Sequence, residues 1–211
     1  MQKSKLIQTF MLLIFSWLCS ANIYAQGQAV QSDPVALLQY IADHMITGLR
    51  SQEANLKTKP EVVYKLAYQY VVPYADLAEM SKRVLPPQTW NSATPAQRAQ
   101  FEKAFTRTLI RTYASALTAY TDQTVRFYPV RGGSQGLRMV EVNSEIDSSS
   151  SQPIHVSYRM QRVGSVWRLY DMSVEGVSML DSFRSQFADL LSSGSMDDLL
   201  QRMSTHNQGV R

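Results

Sequence analysis

Apolar positions recur every three to four residues through the first half of the chain, then every second residue after about position 124. Asp33-Pro34 opens a predicted helix, with the acid as N-cap and proline in the first turn. Val35, Leu38, Ile41, Met45 and Leu49 give it one apolar stripe, to about Leu56. "PEVVYKLAYQYVV" predicts a second helix, apolar on most sides and therefore largely buried, ended or kinked by Pro73. "DLAEMSKRVL" predicts a short third helix stopped by Pro86-Pro87. At "TPAQ", Thr94 caps, Pro95 takes the first turn and Gln97 reaches back as in a capping box. The helix behind it carries Phe101, Phe105, Leu109, Tyr113 or Thr112, Leu117 and Tyr120 along one side, to about Thr121.

Four strands follow: "TVRFYPV", "LRMVEVNSEI", "IHVSYRMQRV" and "VWRLYDMSV". Turn-rich "RGGSQG", "DSSSSQP" and Gly164-Ser165 separate them, and such short links favour an antiparallel meander. A two-residue turn at Gly164-Ser165 pairs Val163 with Val166 and sets the register outward from there. Trp167 then faces Arg162, Leu169 faces Met160, Asp171 faces Tyr158 and Ser173 faces Val156. Ile154, Val156, Tyr158, Met160, Trp167 and Leu169 share an apolar face, while His155, Arg159, Gln161, Arg168 and Tyr170 make a wetter one. "SMLDSFRSQFADLLSSG" predicts a helix with Leu180, Phe183, Phe187 and Leu190 on one side and Gly194 as its stop. "MDDLLQRM" adds a last short one. The order predicts an α+β fold, a four-stranded antiparallel sheet with helices packed on one face.

The chain ends change this picture. Lys3 and Lys5, the apolar run "FMLLIFSWL", and Ile23 and Ala25 before a cleavage point have the layout of a secretory signal peptide over residues 1–25. Cleavage near Ala25 is expected to leave an exported protein with a single domain over 26–204 and a frayed tail over 205–211. Ser16 stands where a lipoprotein signal wants leucine before Cys19, so lipidation is not expected. Cys19 is the only cysteine and lies in the signal, which excludes disulfides and thiol chemistry from the mature chain. Losing the two lysines lowers the formal charge of +4 to +2, no footprint for nucleic acid.

Candidate chemistry centres on "WRLYDMSVEGVSML". A hydrolase elbow, G-x-S-x-G, needs glycine where Leu180 stands, so Ser178 reads as the N-cap of the helix at Met179. Glu175-Gly176 reads as the turn from strand to helix. Asp171, placed on the apolar face, reads as a structural polar anchor partnered by the Tyr158 hydroxyl. An acid beside a tyrosine on a cupped sheet is also an isomerase arrangement, so an enzyme using Asp171 and Tyr158 on an apolar substrate is the rival reading. His44, His155 and His206 have no ligand spacing, and no metal or cofactor is expected. Arg107, Arg111, Arg126, Arg131 and Arg138 read as solvated surface, with a headgroup or docking patch as the sharper alternative.

With these segments in place, "VLPPQTWNSATPAQRAQFEKAF", "TYASAL" and "WRLYDMSVEGVSMLDSFRSQF" resemble the MlaC family, also called toluene-tolerance proteins, over about Asp33 to Leu200. One departure is Pro86, where the family has glycine after Val-Leu. The resemblance implies a non-enzymatic periplasmic phospholipid carrier that maintains outer-membrane lipid asymmetry. Its implied partners are an outer-membrane lipoprotein complex and an inner-membrane ABC transporter with an MCE-domain subunit. Phospholipid is cargo, and the protein is expected to be a monomer. Exposing two acyl chains to water costs on the order of 20 kcal/mol, so a carrier must enclose them, and the implied fold encloses an apolar lipid pocket between the sheet face and the helices. The expected lining is Phe105, Leu109, Tyr113 and Leu117 from the long helix, Val156, Tyr158, Met160, Trp167 and Leu169 from the sheet, and Leu180, Phe183 and Phe187 from the following helix. Asp171 and Ser178 are the structural polar residues. A chaperone-like module for apolar segments of other proteins is a further alternative.

Overall fold

The computed structural model describes residues 30–56, 58–118, 123–148 and 151–208; the expected signal peptide lies outside them. Asp33 caps α1 (Pro34–Ser51), its carboxylate accepting from the Ala36 N–H at 2.8 Å. The expected continuation to Leu56 is broken at Gln52, after which α2 (Glu53–Leu56) starts afresh. In α3 (Glu61–Tyr70) only Val63 and Ala67 are buried, so the second helix is less enclosed than its composition suggested. Its tyrosines lie half-buried or exposed instead, keeping their hydroxyls near water. A single 3₁₀ turn, Val72–Tyr74, leads to α4 (Leu77–Val84), capped by Asp76. That helix ends at Val84, before Pro86-Pro87 as expected, and Pro87 then opens a further short helix, α5 (Pro87–Ser92), in whose first turn it stands. The capping box forms as expected before α6 (Pro95–Thr118). Thr94 N–H donates to Gln97 Oε1 at 2.9 Å and Gln97 N–H to Thr94 Oγ1 at 3.2 Å.

The sheet is an antiparallel meander in the order β1 (Thr124–Phe127), β2 (Met139–Ser148), β3 (Ser151–Val163), β4 (Val166–Val174) and β5 (Val177–Ser178). It has five strands, not the expected four. Glu175 and Gly176 both have positive φ (49° and 79°) and reverse the chain within two residues. Val177 and Ser178 therefore pair back onto Val174 and Ser173. A two-residue strand shows no periodicity, which is why the pattern missed it.

The register at the β3–β4 turn runs as predicted from Val163↔Val166 to Met160↔Leu169. A β-bulge then shifts it by one, so that Asp171 faces Arg159, Met172 faces Tyr158 and Val174 faces Val156. The predicted Asp171–Tyr158 and Ser173–Val156 pairs do not form, because one extra residue reverses the side to which every later side chain points.

Two large cores result. In the first, Leu37, Leu38, Ile41 and Met45 of α1 pack on Val140, Val142, Met160 and Trp167 of the sheet. The second joins Met80 and Val84 of α4, Phe101, Phe105 and Leu109 of α6, Leu180, Phe183 and Phe187 of α7 (Met179–Ser192), and Leu199, Leu200 and Met203 of α8 (Met196–Gln208). Tyr170, at the bulge, enters this second core while its neighbour Leu169 packs into the first. Helices thus meet the sheet on both sides at β4, not on one face only. The last helix runs to Gln208, past the expected end, because Asn207 is buried and its amide donates to the Ala104 carbonyl at 3.1 Å.

Candidate lipid-binding face and its polar anchor

Pairing defines the apolar side of the sheet residue by residue. Val140, Val142, Ser144 and Ile146 of β2 stand opposite Met160, Tyr158, Val156 and Ile154 of β3. Val125 and Phe127 extend this side into β1, Trp167, Leu169, Met172 and Val174 into β4, and Val177 into β5. Alpha1 covers most fully the end nearest the β3–β4 turn, where Met160, Trp167 and Val142 are fully buried, and Phe127 of β1 and Tyr158 pack at the margin of that core. Towards the other end the cover runs out. Phe127, Ile146, Tyr158, Leu169 and Met172 are half-buried, and Ile154, Val174 and Val177 are 39%, 36% and 65% exposed. A sheet face of this length with apolar side chains left partly open is an unfinished core, the kind of wall an apolar ligand completes.

Polar groups on this side are few. Ser144 is buried, and its hydroxyl donates to the Tyr158 hydroxyl at 3.4 Å. Burial pushes the Tyr158 phenol above its ordinary pKa, which keeps it neutral, and Phe127 lies against its ring at 5.6 Å.

Asp171 is fully buried on the opposite side, at the foot of α7. Its Oδ2 takes hydrogen bonds from the Arg159 guanidinium and from Ser178 Oγ at 2.7 Å, and its Oδ1 accepts from the Leu180 N–H at 3.0 Å. Ser178 Oγ in turn accepts from the Asp181 N–H at 3.1 Å, the N-cap expected from sequence. Asp171 is thus buried with polar partners, and these are Arg159, Ser178 and a helix N-terminus, not the expected Tyr158. The Asp171–Tyr158 pair that the isomerase reading required is not assembled. Tyr113 of α6 lies close enough for the Asp171 charge, after burial, to raise its pKa.

The expected lining residues divide between the two sides. Val156, Tyr158, Met160, Trp167 and Leu169 share the apolar sheet face. Phe105, Leu109, Leu180, Phe183 and Phe187 are interlocked in the second core with half-buried Tyr113 against them. Phe105 meets Phe183 edge-on at 5.3 Å and Phe187 at 5.7 Å. The Leu117 side chain lies outside the described residues. Sequence reasoning missed Met172 and Val174 as members of the sheet face, since the bulge alone puts them there. Ile146 was legible from the alternation in "MVEVNSEI". Two open surface grooves are lined by other residues: one of about 600 Å³ by Arg50, Ser51, Glu53 and Ala54, the other of about 310 Å³ by residues around Asp76 and Arg168. Among the described residues no helix is long and apolar enough to cross a membrane, and no cluster of His, Cys, Asp or Glu is arranged to hold a metal.

The family model described as MlaC protein matches residues 39–205. The chain belongs to the MlaC family. It is 24% identical over 193 residues to the intermembrane phospholipid transport system binding protein MlaC of Haemophilus influenzae, covering 90% of this chain and 89% of that one. It is 25% identical over 158 residues to the toluene tolerance protein ttg2D of Pseudomonas putida, covering 75% and 73%. Among solved structures, the phospholipid-binding protein of Ralstonia solanacearum, in complex with a phospholipid, superimposes with a TM-score of 0.77 at 27% identity. That match covers 84% of this chain and 98% of the other.

Proposed function

We propose that this chain is a periplasmic phospholipid carrier, exported by its N-terminal signal. It shuttles lipid between an outer-membrane lipoprotein complex and an inner-membrane ABC transporter with an MCE-domain subunit. The observation that carries this reading is the half-covered apolar sheet face, with Ile154, Val174 and Val177 left open beyond the reach of α1. The phospholipid-bound relative and the names of the two curated relatives support the choice of ligand.

In this proposal acyl chains lie along Val156, Tyr158 and Leu169 and complete the face. Covering it gains about 25 cal/mol per Å² of apolar surface removed from water. The neutral Tyr158 phenol and its Ser144 partner add no charge to that wall. Asp171, Arg159 and Ser178 hold β4 against α7 and so brace the wall from behind. No cofactor or catalytic group enters the reading, and phospholipid is cargo.

Lipid extraction and native mass spectrometry of purified protein test it. The expected result is co-purified phospholipid in a stoichiometric complex with a protein monomer. Protein that is lipid-free as purified and takes up none from vesicles overturns the proposal.

A further inference from the structure

The other side of the sheet carries a second apolar surface, at the end where the β3–β4 turn lies. Met139 pairs with Gln161, and the Arg162 N–H donates to the Arg138 carbonyl at 2.9 Å, which continues the ladder and sets Leu137 beside Val163. Leu137, Met139 and Val163 are 45%, 47% and 46% exposed and belong to neither large core, and Val163 borders the open groove between β4, α4 and Glu102 of α6. Three large apolar side chains side by side on a strand end are more than the scattered exposure of an ordinary surface.

The strand segments that carry them are one-sided in charge. The two segments that build this end, residues 130–140 and 161–168, hold Arg131, Arg138, Arg162 and Arg168 and no carboxylate. Arg131 and Arg138 are exposed. Arg162 lies over the Trp167 ring at 4.7 Å and donates to the Ser134 carbonyl, while Arg168 donates to the Pro73 carbonyl. None of the four makes an ion pair among the described residues, whereas Arg83, Arg126, Arg159 and Arg184 each do. Among the nearby carboxylates, Glu102 of α6 borders the groove that Val163 and Arg168 line, and two others are committed elsewhere or set back. Asp76 accepts from the Gln161 amide and from the Glu79 N–H, and Glu141 stands further along β2 opposite Arg159.

We propose that this end of the sheet docks on an anionic phospholipid surface. Leu137, Met139 and Val163 enter the interfacial layer while Arg131 and Arg138 meet the lipid phosphates. Small apolar tips rimmed by arginines fit such a surface because each basic residue near it contributes about fivefold to partitioning and each inserted side chain adds to that. The proposal extends the carrier reading, since it places the protein directly on the bilayer between its protein contacts, but it stands on different residues and a different side of the sheet.

Co-flotation of the purified protein with vesicles is the test. One set is phosphatidylglycerol and phosphatidylcholine in equal parts, the other phosphatidylcholine alone, each at low and high salt. Association is expected with the anionic set only, fading as salt shortens the screening length from about 10 Å at 0.1 M to about 3 Å at 1 M. Arg131→Gln with Arg138→Gln lowers it roughly 25-fold, at about fivefold per arginine. Leu137→Asp, outside the regular strand, lowers it roughly tenfold without changing the melting temperature. Equal association with both vesicle sets, indifference to both variants, or no association at low salt overturns the proposal. So does loss, in the arginine variant, of binding to a purified protein partner while vesicle association is unchanged. Bound lipid, assayed in the same samples, separates the two proposals. A lipid-loaded protein that ignores vesicles defeats only the docking surface, and one that floats with vesicles but carries no lipid defeats only the carrier.

Discussion

Replacing Asp171 with asparagine separates an anchor from a catalytic acid. The side chain keeps its size, but one oxygen that accepted from both Arg159 and Ser178 is now either an amide NH₂ or the sole remaining acceptor. If Oδ1 stays on the Leu180 N–H, the amide nitrogen confronts two donors in a fully buried site. A donor left unsatisfied in such a place costs about 1–3 kcal/mol. The lost ion pair adds less than a fully buried one would, because the Arg159 side chain is 36% exposed and regains water; about 1 kcal/mol is a fair share. The sum, about 2–4 kcal/mol, is a large part of the stability of an ordinary domain. Urea unfolding followed by circular dichroism should show the unfolding free energy falling by that amount, through a lower midpoint at unchanged slope, and the melting temperature falling by roughly 5–15 °C. Ser178→Ala and the double variant complete a cycle, with a coupling of about 0.5–3 kcal/mol expected between residues that share a hydrogen bond. Below its melting point the Asp171→Asn protein should still carry its lipid. A stability loss under about 0.5 kcal/mol, or zero coupling to Ser178, refutes the anchor as described.

Two further outcomes test the open face and its tyrosine. Ile154→Asp puts a carboxylate on the uncovered part of the apolar side, where the parent side chain is already 39% exposed. It should cost little stability yet cut lipid retention at least tenfold, because a bound acyl chain would have to desolvate the charge; unchanged co-purified lipid counts against this wall. For Tyr158 the folded pKa is raised, chiefly by burial, so the folded state prefers the neutral phenol. Its stabilising contribution is therefore complete below the unfolded tyrosine value of about 10 and is lost as pH rises through the folded one. Tyr158→Phe should flatten the alkaline limb of the stability profile, and a parallel loss in both proteins would rule Tyr158 out as its source.

Local chemistry was the legible part of the sequence. Asp33, the Thr94–Gln97 box and Ser178 all cap the helices they were expected to cap, because the donor and acceptor lie within three residues of each other. The Gly164-Ser165 turn likewise fixed four residue pairs of the β3–β4 register, Val163↔Val166 to Met160↔Leu169. What was not legible depended on distant contacts. The last helix persists to Gln208 because Asn207 finds the Ala104 carbonyl and Thr108 on α6, about a hundred positions away. Arg159, read as part of a wet face, became the partner of Asp171 only once the register had shifted. The burial assigned to the second helix failed for a related reason: tyrosine is apolar by composition yet satisfied at a surface.

The bulge on β4 ties the anchor to the wall. With strict alternation, Trp167 and Leu169 would be followed on the apolar side by Asp171 and Ser173, leaving a buried carboxylate against hydrocarbon. One extra residue at Tyr170 turns Asp171 to the other side, where the N-terminus of α7 supplies an N–H donor and Arg159 a charge. The same shift brings Met172 and Val174 round to stand opposite Tyr158 and Val156, so the apolar side continues along β4 to the β5 turn. A single register change therefore removes the most expensive group from the face and lengthens that face by two hydrophobic positions. It also delivers Tyr170 to the second core, where its ring fixes β4 against α4 and α7. The segment that most resembles an active site in the sequence is thus the point where the sheet is fastened from behind, and its consequence for function is the uninterrupted apolar surface on the other side.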